Sequence, residues 1–100
     1  MLFKLLAEFI GTFLFLSVIL NSASAGHMGA LSIGLGLAVA ILFGGKISGG
    51  HFNPAVSVMM LAKKSMSLPD FAGYIVSQVL GGLCALGFSQ AAAGGKLKLF

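Results

Sequence analysis

Ile47-Ser48-Gly49-Gly50-His51-Phe52-Asn53-Pro54-Ala55-Val56-Ser57 interrupts the apolar pattern of this 100-residue chain near its midpoint. Gly49 and Gly50 permit backbone angles that other residues resist, so Ser48 to Phe52 reads as an extended, irregular loop. Asn53 suits a helix N-cap, and Pro54 suits the first helical position, where a missing N–H leaves nothing unpaired. A helix is therefore predicted to begin at Pro54. It stays apolar through Ala62 and meets Lys63 and Lys64. Nine residues of helix reach about 14 Å, roughly half of the ~30 Å hydrocarbon thickness of a bilayer.

The segments on either side are longer. Residues 2–20 are apolar except for Lys4 and Glu8, residues 28–45 form a second run, and residues 68–93 form the longest. Each is long enough to cross a bilayer as a helix. Pro69 fits the first turn of the last, and Asp70 complements its positive end. Hydrophobic residues make up 58% of the chain and charged residues 8%, against about 25% charged in soluble domains. The mean hydropathy of +1.07 agrees. Lipid is the solvent this composition calls for. The predicted fold is an all-α membrane protein with three transmembrane helices and one re-entrant half-helix, the pore loop and half-helix occupying residues 46–63 of one unit, 1–100. The start of the chain also has features of a signal peptide, with Lys4, an apolar core from Phe9 to Leu20 and Ala23-Ser24-Ala25 as a cleavage site. Glu8 falls where that core should begin.

The net charge of +4 comes from six Lys set against Glu8 and Asp70. The Lys flank apolar runs and are not interleaved with aromatics, so no nucleic-acid partner is expected. With three spans, Lys4, Lys46, Lys63 and Lys64 fall on one face and Lys96 and Lys98 on the other. The positive-inside rule then puts the N-terminus in the cytoplasm, in a plasma (inner) membrane. Small residues recur every fourth position: Gly73, Ser77, Gly81, Ala85 and Ser89 in the last span, and Ala30, Gly34, Ala38 beside Gly36, Ala40, Gly44 in the second. Such rows let helix backbones approach closely in lipid. Cys84 is a lone thiol. His51 and His27 have no nearby Cys or carboxylate cluster, so neither a metal site nor a cofactor is expected. With no paired carboxylates, nucleophile–base pair or phosphate loop, the chain does not read as an enzyme.

A half-helix beginning inside the membrane exposes free N–H groups and a partial positive charge. The loop before it offers unpaired carbonyls. Irregular backbone at that depth is tolerated where it lines a wet cavity or is buried in protein. Carbonyl acceptors and the Asn53 amide donor can replace water–water hydrogen bonds along a single file, and the positive helix end disfavours cations.

Several stretches carry a resemblance. Ala7-Glu8-Phe9-Ile10-Gly11-Thr12-Phe13 resembles the first-helix signature of the major intrinsic protein (aquaporin and glycerol facilitator) family. Ser48 to Ser57 resembles its first pore loop, and Tyr74-Ile75-Val76-Ser77-Gln78 its third helix. The resemblance is to the family's N-terminal half. It implies a passive channel for water or small neutral solutes such as glycerol. Its signature is Asn53, Pro54 and Ala55, and the backbone of Gly49, Gly50, His51 and Phe52 lines the pore. Glu8 and Gln78 are implied to brace the loop, and Ile33 matches a constriction position that is often aromatic. Family members usually carry two inverted halves, and an Arg follows the second Asn-Pro-Ala, whereas Val56 follows this one and the chain has no Arg. A homo-oligomer or a complementary second half-channel is the implied partner. The alternatives are a small holin-like or structural membrane protein, and a non-conducting fragment of a longer channel.

Overall fold

A computed structural model describes residues 1–22 and 24–94 as four helices: α1 (Leu2–Ser22), α2 (Gly26–Ser48), α3 (Pro54–Ala62) and α4 (Leu68–Ala92). The cleavage-site reading at Ala23 and the face assigned to Lys96 and Lys98 lie outside the described residues. Helices α1, α2 and α4 are each long and apolar enough to cross a membrane. Helix α1 lies between α2 and α4 and packs against both, while α3 packs against α4.

The distribution of side chains inverts that of a soluble domain. Leu31, Leu35, Val39, Leu42 and Phe43 on α2, and Val76, Leu80, Leu83 and Phe88 on α4, are exposed. Glu8, Thr12, Ser48, Ser57, Ser77 and Gln78 are buried. Water would penalise so large an apolar surface. Lipid does not, and it drives polar groups inward to find one another.

Small residues set the helix crossings. On α4, Ser77, Gly81 and Ala85 are buried and Gly73 is half-buried. A Cβ on Gly81 would stand 2.7 Å from the Phe9 carbonyl oxygen and 3.1 Å from Thr12 Cβ. The glycine thus lets α4 touch the backbone of α1. On α2, Ala40 and Gly44 are buried and Gly36 meets Val18 of α1, whereas Ala30, Gly34 and Ala38 are exposed. One of the two small-residue rows on α2 therefore packs within the chain and the other faces outward. Gly81→Ala should lower stability by about 1–3 kcal/mol through overpacking. Gly34→Ala, where an added Cβ has nothing within 4 Å, should cause no loss. Thermal unfolding of the two variants in detergent micelles checks this contrast.

The helix ends follow local chemistry. Asn53 is extended (φ −161°, ψ 124°) and its side chain accepts from the Ala55 N–H, with Pro54 opening α3. Ser67 caps α4 by accepting from the Asp70 N–H, a cap that the Pro69 and Asp70 signals left unnamed. Helix α2 runs to Ser48 and stops at Gly49 (φ 92°), whose N–H bonds the Gly45 carbonyl. The irregular backbone is thus shorter than predicted, because Ser48 is the last helical residue.

Candidate pore loop and its buried carboxylate

Glu8, two turns into α1, is completely buried. A buried carboxylate without partners is heavily penalised. This one accepts four hydrogen bonds, which fill the four acceptor positions such a group offers. Its Oε2 takes the Ser48 hydroxyl at 2.6 Å and the His51 N–H at 3.0 Å. Its Oε1 takes the Phe52 N–H at 2.8 Å and Gln78 Nε2 at 2.9 Å. One side chain of α1 thereby holds the end of α2, two consecutive loop amides and α4.

The neighbours extend the network. Ser48 Oγ also accepts from the Gly50 N–H at 3.2 Å, and the Tyr74 hydroxyl donates to the Ser48 carbonyl at 2.6 Å. Gln78 Nε2 donates to Ser57 Oγ at 2.9 Å, and that hydroxyl lies 2.8 Å from His51 Nδ1. The His51 ring rests on Tyr74 with centroids 4.9 Å apart. Tyr74 and Gln78 are four apart on α4, so both project from one face.

Phe52 has a second role beyond its backbone. It is a non-glycine residue in the left-handed region (φ 52°), and its ring is 2% exposed. The ring fills a slot between α1 and α2 that exists because Gly11 and Gly44 lack side chains. A Cβ on Gly11 would stand 2.5 Å from Phe52 Cζ, and one on Gly44 2.7 Å from the same atom. An unfavourable backbone angle persists where its surroundings over-determine it. Here the slot holds the ring and Glu8 holds the N–H.

Beyond Phe52 the chain emerges. Asn53, Pro54 and Ala55 are exposed. Because Asn53 Oδ1 is occupied by the Ala55 N–H at 2.8 Å, its amide nitrogen is left to donate outward. The carbonyls of Gly49, Gly50, His51 and Phe52 accept no hydrogen bond among the described residues. Two cavities flank this segment. A polar one of about 250 Å³ is lined by Lys4, Ser48, Gly49, His51, Asp70 and Tyr74. An open groove of about 620 Å³, between α1 and α4, includes Thr12, Leu16, Phe52, Asn53, Pro54 and Gln78. Consecutive residues of one loop thus pass from the first cavity to the second. Thr12 Oγ1 and Gln78 Oε1 are buried without a partner, and both residues border the groove.

Of the residues singled out from sequence, Glu8, Gln78, Gly50, His51 and Phe52 converge on one network, and Asn53, Pro54 and Ala55 form its outward end. Ile33 stands apart. It is half-buried on α2 and borders neither cavity, sixteen positions before Gly49 and so about 24 Å away along the helix. Ser57, Tyr74 and Gly11 carry no role in the sequence reading, and Gly44 only that of a helix-packing position. The four-residue spacing of Tyr74 and Gln78 is a usable signal, whereas nothing local marks either glycine as a seat for Phe52.

Three apolar spans, a half-length helix and a loop fixed to a buried carboxylate define a multi-pass integral membrane protein with one broken segment. The family model described as "Major intrinsic protein" matches residues 1–98, and the chain belongs to that family. It is 42% identical over 87 residues to glycerol uptake facilitator protein-like 6 of Lactiplantibacillus plantarum, covering 82% of this chain and 40% of that protein. It is 35% identical to aquaporin PIP2-1 of Arabidopsis thaliana, covering 86% and 36%. It is 37% identical to aquaporin Z of Photorhabdus laumondii, covering 97% and 46%. The chain therefore spans less than half the length of these relatives.

Proposed function

We propose that this chain forms one half of a passive conduit for water and small neutral solutes, the class that includes glycerol. The observation that carries the reading is the loop Gly49 to Asn53. It borders a polar cavity at one end and an open groove at the other, with unpaired carbonyls along it and a helix N-terminus exposed at its tip. The Gly49, Gly50, His51 and Phe52 carbonyls accept from the permeant, and Asn53 Nδ2 donates to it. The α3 N-terminus, with roughly half a positive charge, disfavours cations. With no bond made or broken in this scheme, catalysis is not part of it.

A half-helix of about 14 Å cannot wall a ~30 Å core. A second half, inverted and supplied by another copy or another segment, completes the wall against the groove where Thr12 Oγ1 and Gln78 Oε1 lack partners. Lys4, Lys46, Lys63 and Lys64 gather at the end where α1 starts and α2 ends. Under the positive-inside rule that end is cytoplasmic, in the plasma membrane.

Stopped-flow shrinkage of liposomes holding the chain with its completing half tests the reading. Water flux above the lipid background without proton leak is expected, and Asn53→Leu should return it to background. Flux that is indifferent to position 53, or that admits protons freely, would mark a non-selective lesion instead.

A further inference from the structure

Ser57 links Gln78 to His51, and the direction of its hydrogen bonds can be worked out. The Gln78 amide must turn its nitrogen toward Glu8, since the reverse orientation would set oxygen against a carboxylate oxygen. Both Nε2 hydrogens are then used, one on Glu8 Oε1 and one on Ser57 Oγ, each at 2.9 Å. Ser57 Oγ therefore accepts from Gln78. It is fully buried, and its one remaining neighbour is His51 Nδ1 at 2.8 Å. If Nδ1 carried the proton, the Ser57 hydroxyl hydrogen would be buried with no acceptor, an arrangement costing about 1–3 kcal/mol. The hydroxyl accordingly donates to Nδ1, and the proton of the neutral ring sits on Nε2.

Nε2 has no hydrogen-bond partner among the described residues. It lies 3.4 Å from where a Cβ on Gly49 would stand, and both residues line the polar cavity. The Tyr74 ring lies against the imidazole at a tilt of 54°, so the imidazole has little freedom to turn.

We propose that the His51 side chain is a fixed hydrogen-bond donor in the polar cavity, its Nε2–H presented to permeant oxygen, and that Ser57 is the positioning residue that sets this tautomer. The proposal deepens the conduit reading, and rests on it for what the donor meets. It names the permeant chemistry selected at this mouth: neutral molecules with a free oxygen acceptor.

Nitrogen-15 spectra of the histidine-labelled protein in bilayers above pH 8 give the test, with a His27→Gln variant to assign His51. One His51 species is expected, with unprotonated, hydrogen-bonded Nδ1 and protonated Nε2. In Ser57→Ala the Nδ1 signal should lose its hydrogen-bonded shift and a second tautomer should appear. A proton on Nδ1 in the parent protein, or a spectrum that Ser57→Ala leaves unchanged, overturns the assignment. Flux is read on the same samples with the completing half present, beside Asn53→Leu. Ser57→Ala should slow solute flux roughly five-fold, the equivalent of one neutral hydrogen bond of about 1 kcal/mol. Asn53→Leu reducing flux while Ser57→Ala does not would refute the donor role and spare the conduit. Indifference to both variants would remove the conduit and with it the permeant role of His51, leaving the tautomer to the spectrum.

Discussion

Glu8→Ala should release the loop between α2 and α3. The substitution strands the His51 and Phe52 N–H groups, takes one of two acceptors from the Gln78 amide, and leaves the Ser48 hydroxyl only the Gly44 carbonyl at 3.3 Å. Each buried orphan costs about 1–3 kcal/mol. The four share one network and their losses will not simply add. A fall of at least ~3 kcal/mol in the free energy of opening the loop is still expected, because two loop amides each lose a hydrogen bond to a charged acceptor, worth about 1.5–3 kcal/mol apiece. Hydrogen exchange at the His51 and Phe52 amides reads this directly and should accelerate about 100-fold or more, since each 1.4 kcal/mol is a factor of ten. Glu8→Gln is not a mild change here. Its NH2 would face either the His51 N–H or the Phe52 N–H and the Gln78 amide, so one donor must meet another whichever way the amide turns. It should fall between Glu8→Ala and the parent. Exchange rates unaltered in both variants would mean that Glu8 does not hold the loop.

Gly11→Ala should be the next most damaging single change, although it adds one methyl group. The new Cβ would overlap the Phe52 ring, with Cζ at 2.5 Å and Cδ1 at 2.7 Å. Real Cβ contacts are essentially never so short. The ring has no retreat, because Gly44 closes the opposite side of the slot and Glu8 holds the Phe52 N–H. Overpacking of this kind costs about 1–3 kcal/mol. Here the loop is the part that gives, so flux should fall together with stability. Shortening the wedge tests the cause. Phe52→Leu in the Gly11→Ala background should restore part of the loss, with a coupling of at least ~1 kcal/mol in a double-mutant cycle. Additive effects would show that ring and glycine do not share the slot.

The fold was legible in the sequence to a high degree, for identifiable reasons. Spans are set by the length of apolar runs, and the half-helix by two punctuation signals, Asn53-Pro54 at its start and Lys63-Lys64 at its end. Helix α3 has the predicted bounds, and α1, α2 and α4 differ from the expected segments at their ends alone. Helix α2 extends beyond the expected end at 45, through Lys46 and Ile47 to Ser48, because the left-handed stop is Gly49 and the apolar run alone did not mark it. The positive φ of Phe52 was not legible, since no local rule assigns that angle to a bulky residue. It follows from a slot made by residues 41 positions before it and 8 positions before it. The partnership of Glu8 with Gln78 was likewise invisible to spacing, with 70 positions between them. The resemblance gave both residues a bracing role, and it was silent on Ser57, whose part depends on the orientation of an amide and a hydroxyl in three dimensions.

Conduction past Asn53 requires the tip of α3 to lie at mid-membrane beside water. A spin label at Ala55→Cys, in a Cys84→Ala background within bilayers, reports both quantities at once. Depth near the bilayer centre, combined with ready collision with a water-soluble relaxation agent, is the predicted result. A label at headgroup depth, or one at the centre that meets oxygen and not the aqueous agent, would contradict it.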